Sequence, residues 1–136
     1  MRFAILLFFA MPAFASNGAT GDTASKWPHV AVYFAEQRRA LAAYEQRDVE
    51  TMRAAAQAML VANPGHPPAR YVLAAADALA GRGDSAIATL EALAALGLVQ
   101  QPRKEPAFAR LLDDPRFVAV EARFAENAKP RGDVRV

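Results

Sequence analysis

The chain has 136 residues, 54% of them hydrophobic, with a formal net charge of +2 and no cysteine. This is long enough for one domain with a core and too apolar for a wholly disordered chain. It excludes a disulfide framework and thiolate zinc sites, and its basic residues are scattered among nearly as many acids, which is not the clustered basic face that nucleic-acid recognition needs.

Taken in chain order, MRFAILLFFAMPAFAS places Arg2 before an apolar run from Phe3 to Met11, a break at Pro12, and Ala13-Phe14-Ala15 before Ser16. This is the layout of a secretory signal peptide, with cleavage expected after Ala15 and a periplasmic or secreted product that makes no stable membrane insertion. Residues 16–26 are rich in Gly, Ser and Thr and read as a flexible leader. A domain is expected over 27–127 and a disordered tail over 128–136.

Within the domain the spacing is helical. Pro28 suits a first helical turn, and Val30, Phe34, Leu41 and Tyr44 follow at helical intervals, which predicts a helix over about 28–46. Asp48 is placed to cap a second helix carrying Met52, Ala56, Met59 and Leu60, which Asn63-Pro64-Gly65 ends. Pro67-Pro68 opens a third helix that runs to Gly81, and Asp84 is expected to cap a fourth, with Ile87, Leu90, Leu93 and Leu96 as its stripe and Gly97 as its stop. Nothing alternates as a strand does. The expected fold is all-α, made of stacked antiparallel helical hairpins.

The stretch NPGHPPARYVLAAADALAGRGDSAIATLEALAALG resembles the tetratricopeptide repeat, whose period is about 34 residues. Ala86 matches the small residue of the repeat's second helix, Gly81 its turn, and Leu73-Ala74 its close contact; one period earlier lie Met52 and, from Leu98, Pro64. EPAFARLLDDPRF looks like the closing segment that follows the last repeat in an end-of-group variant of that family, with Asp114 and Pro115 starting a helix whose Phe117, Val120 and Phe124 turn inward. The resemblance implies about two repeats plus a closing pair of short helices.

Asp77 stands where that family often carries a large aromatic. A buried carboxylate without a partner would be costly, so it should find a donor or reach water, with Arg53, Arg70 and Tyr71 as candidate donors. Asp113 and Asp114 are adjacent rather than facing each other across a pocket, His29 and His66 each stand beside a proline without an acid or His cluster, and the serines lack a histidine arrangement. The two Arg-Gly-Asp tripeptides, at 82–84 and 131–133, read as a turn and as part of the tail. No metal, no cofactor and no catalysis are expected.

What remains is binding by shape. Stacked hairpins present a concave face built by the first helix of each pair, here drawing on Gln37, Arg38, Tyr44, Arg70 and Tyr71, with Asp77 at the edge. The expected role is an exported scaffold that binds a protein or peptide. The alternative is an accessory or truncated head of a larger periplasmic enzyme, since such repeats also precede β-propellers resembling the gluconolactonase family. Self-association, giving a homo-oligomer, is a third expectation, because two repeats leave apolar edges.

Overall fold

The computed structural model describes residues 27–130. The expected signal peptide, the leader and most of the tail therefore lie outside the described residues. Within them the chain forms α1 (Pro28–Glu45), α2 (Val49–Ala62), α3 (Pro67–Leu79), α4 (Gly83–Ala95), two 3-10 segments (Pro102–Lys104 and Pro106–Leu111) and α5 (Pro115–Asn127), with no strand among the described residues. Each helix packs on the next in sequence, and the second 3-10 segment also packs on α3. The fold is all-α, a stack of helical hairpins.

The starts and stops follow from the local sequence. Proline occupies the first turns of α1, α3 and α5, where an absent N–H costs nothing. Asp48 accepts the Thr51 N–H at 3.0 Å to cap α2, and Asp114 accepts the Arg116 N–H at 2.8 Å to cap α5. Asp84 does not cap α4, contrary to expectation. Arg82 holds the cap position because the helix already begins at Gly83, which leaves Asp84 in the first turn, where a negative charge suits the helix dipole.

The two hairpins share one turn. At the end of α1, the N–H of Arg47 donates to Tyr44 O at 3.0 Å and that of Asp48 to Ala43 O at 2.8 Å; at the end of α3, Gly81 donates to Ala78 O at 3.1 Å and Arg82 to Asp77 O at 2.8 Å. Every member of the second set lies 34 positions after its counterpart in the first. Both are the paired closing bonds of a Schellman turn, which needs a left-handed residue after the helix cap. Arg47 (φ 59°) and Gly81 (φ 77°) supply it.

An arginine in the left-handed region is penalised, whereas glycine is not. Arg47→Gly is therefore expected to stabilise the protein by about 0.5–1 kcal/mol once the greater freedom of glycine in the unfolded chain is deducted. Gly81→Ala should cost a comparable amount, through backbone conformation alone, since no atom lies within 4 Å of the added Cβ. Urea denaturation of both variants checks the pair, and opposite signs are the expected result.

Surface ion pairs repeat with the same step. Arg82 Nη2 meets Glu50 Oε1 at 2.6 Å, and Arg116 Nη1 meets Asp84 Oδ1 at 2.8 Å; each partner of the second pair stands 34 positions after its counterpart in the first. The repeat relation thus extends into α5. The closing pair sits where a third hairpin would, with the 3-10 segments in the place of its first helix and α5 in that of its second.

The core is built largely from alanine, so the helices approach closely. Ala55, Ala56, Ala69, Ala74, Ala76 and Ala86 are fully buried, with Met52, Met59, Ile87, Leu90 and Leu93 between them and Phe108, Phe117 and Phe124 at the C-terminal end. The face of α1 that meets α2 carries Tyr33, Ala40 and Ala43, whereas Val30, Phe34 and Leu41 stay exposed. Small residues let α1 lie close against Met52, Ala55 and Met59; a row of bulky ones would hold the two helices apart.

Candidate functional site

Asp77 is the one buried charged residue among the described residues, at 1% exposure. Its Oδ1 accepts from Arg53 Nε at 2.7 Å, and its Oδ2 accepts from Ser85 Oγ at 2.7 Å. Arg82 Nε approaches Oδ1 at 3.7 Å, close enough for attraction but too far for a hydrogen bond, and finds no other acceptor. Of the three donors considered from the sequence, Arg53 is selected. Arg70 instead donates to the Pro64 carbonyl at 3.3 Å, at the other end of α3.

The geometry ties α2, α3 and α4 together at one point. Arg53 reaches across from α2, Asp77 sits in the last turn of α3, and Ser85 stands in the first turn of α4 beyond the Gly81 turn. At 1% exposure the carboxylate is closed off from the surface. Asp77 therefore does not lie at the edge of a binding face, and this expectation is corrected: a carboxylate with a cation and a hydroxyl on its two oxygens is satisfied inside the stack.

The other proposed face residues are distributed as follows. Gln37 and Tyr44 line a depression together with Leu41 from α1, Met52 and Met59 from α2 and Val72 from α3. Tyr71 is buried, its ring edge-on to Phe108 at 5.6 Å between centroids. Arg38 is exposed on α1 and does not line the depression. The structure brings Gln37 and Tyr44 together and leaves Arg38 and Arg70 apart from them.

Burial raises both phenols: Tyr44 and Tyr71 lie above the ordinary tyrosine value, chiefly through desolvation and secondarily through the charge of Glu105. Glu105 acts through its charge on both rings, one from each hairpin. It was not singled out from the sequence, although it stands 34 positions after Tyr71 and 68 after Gln37, at the same place in three successive units.

At the other end of the stack, Tyr33 and His66 share a hydrogen bond of 2.9 Å between the hydroxyl and Nδ1, with their rings edge to face at 4.7 Å. This joins α1 to the start of α3. Burial lowers the His66 pKa, which favours the neutral ring. Among the described residues no three His, Asp or Glu side chains gather as metal ligands, and no helix is long and apolar enough to cross a membrane. The chain matches no family model, no curated protein and no solved structure.

Proposed function

We propose that this is a small tetratricopeptide-like scaffold, exported by its N-terminal segment, which binds an extended segment of another protein on the face formed by α1, α3 and the 3-10 segments. The observation that carries the proposal is the depression between α1 and α3. It is apolar at its base through Met52, Met59 and Val72, and it is rimmed by Leu41, Tyr44 and Gln37, which offer ring surface and hydrogen-bonding groups. Leu41 is 38% exposed there, an apolar side chain left open at a groove. The depression is small, about 10 Å³, so it would anchor a single side chain of a partner segment laid across the face.

The 34-residue recurrence of the Schellman turn and the ion pair supports the tetratricopeptide-like assignment, because that period belongs to helix–turn–helix repeats of this kind. The expected absence of catalysis is part of the same proposal. The test is a capture experiment from cell-envelope extract with the tagged chain and with a Leu41→Ser/Tyr44→Ala double variant, matched for helicity by circular dichroism. A protein retained by the first bait and lost from the second is the expected result. Equal retention by both baits, or none by either, would overturn the proposal and favour an accessory domain of a larger enzyme.

A further inference from the structure

The two ends of the stack are finished differently. At the C-terminal end, α5 turns Arg116, Arg123 and Glu126 outward and leaves Val118 as its one exposed large apolar side chain. At the N-terminal end, Trp27, Val30, Val32, Phe34 and Leu41 are all exposed, Trp27 at 55%. A terminal unit of a repeat stack needs a polar outer face to stay soluble by itself, and α1 lacks one.

Four of these five side chains fall on a single line. Trp27, Val30, Phe34, Gln37, Leu41 and Tyr44 follow one another at alternating steps of three and four residues, the heptad seam by which one helix meets another along its length. Gln37 and Tyr44 are partly exposed, and no charged residue stands on the line. It is a second face of α1, beside the Tyr33, Ala40 and Ala43 side that packs on α2.

The seam is complementary to itself. Set antiparallel against a second copy, Trp27 meets Tyr44, Val30 meets Leu41 and Phe34 meets Gln37, so that all six positions pair in one register. The two Gln37 amides then flank the two-fold axis, about 4.5 Å apart along it, where they can bond to each other and fix that register as a single polar layer does in a coiled coil. The surface left open along the seam is roughly 500 Å² per copy and about 1,000 Å² per pair, the lower bound of a specific interface. An anionic bilayer fits this face less well, because it favours a cationic rim. The charges of α1 are balanced instead, Glu36 and Glu45 against Arg38 and Arg39, with Arg39 paired to Glu36 at 3.2 Å.

We infer that two copies of this chain associate through α1, antiparallel, along the line from Trp27 to Tyr44. The small area makes this a reversible dimer with a Kd in the micromolar range. Leu41 and Tyr44 also rim the depression, so, resting on the proposal of a peptide-binding face, the second copy and the partner segment compete for one surface.

The test is sedimentation equilibrium of the full chain from about 1 to 300 μM, a range that brackets such a dimer. Phe34→Lys changes an exposed residue outside the depression, so helicity should be kept while the dimer weakens about a hundredfold, the symmetry counting each change twice. Because the chain has no cysteine, single thiols report the register. Under oxidation, a mixture of Val30→Cys and Leu41→Cys chains should join as a mixed disulfide, and neither variant should join to itself.

A monomer at every concentration, the result expected if another segment of the chain covers the seam, would overturn the inference. So would a dimer indifferent to Phe34→Lys, or cross-linking within a single variant as fast as in the mixture. Phe34→Lys leaves Leu41 and Tyr44 in place, so it should capture the partner at least as well as the unmodified bait. A failed dimer and a failed binding face therefore give different results.

Discussion

Asp77→Ala is expected to destabilise the protein by about 3 kcal/mol, because removing one partner of a buried pair leaves the other without its counter-charge. Three losses combine. Arg53 Nε loses its acceptor, Ser85 Oγ loses its acceptor, and the side-chain volume between α3 and α4 is left empty. The effect stays near the lower end for buried pairs because the Arg53 side chain is 30% exposed and can turn toward water.

The shape of the mutant series matters more than the single number. Asp77→Asn keeps an acceptor for Arg53 but turns an N–H₂ toward Ser85, and should cost about 1–2 kcal/mol. A triple variant, Arg53→Ile/Asp77→Leu/Ser85→Ala, removes every polar member at once and should recover most of the loss, since well-packed apolar replacements of buried ion pairs are often neutral or better. The register suggests that such residues fit: Ile87 lies 34 positions after Arg53 and is buried, and Leu111 lies 34 after Asp77 and packs on the core. Guanidinium unfolding measures all three variants. A cost below about 1 kcal/mol for Asp77→Ala would mean that the network does not hold α2, α3 and α4 together.

The helices and their turns were readable from the sequence because proline, the cap acids and the turn glycine act within a few residues of where they stand. Asp48, Asp114 and Gly81 perform the expected jobs for that reason. The side of α1 that packs was not readable. Its alanine side and its Val30–Phe34–Leu41 side are both apolar, and the choice between them is made by how close α2 can come, which is a matter of shape. The segment 101–113 was readable only coarsely: a short closing helix was expected there, and Pro102 and Pro106 divide it into two 3-10 turns.

For the candidate site, sequence proximity found Arg53 among three options for Asp77 but missed Ser85, whose hydroxyl arrives only because the Gly81 turn folds α4 back along α3. Asp77 was expected either to find a donor or to reach water at the rim of the binding face; the donor reading holds, through Arg53 and Ser85, and the charge stays inside.

Phe108→Ala is expected to cost about 3–5 kcal/mol, as large aromatic truncations in a closed core do, and to loosen one end of the molecule first. Phe108 is fully buried and forms the bridge between α3 and α5, with Tyr71 at 5.6 Å on one side and Phe117 at 5.9 Å on the other. Its own segment is a 3-10 turn of six residues, too short and too poorly hydrogen-bonded to persist without that anchor. In a stack where each unit touches only its neighbours, damage at the last interface should spread weakly to the first. Amide hydrogen exchange should therefore show α5 losing protection well before α1 and α2 do. Uniform loss of protection along the chain would mean instead that the hairpins fold as one cooperative unit, and that the closing pair is as necessary to α1 as it is to α4.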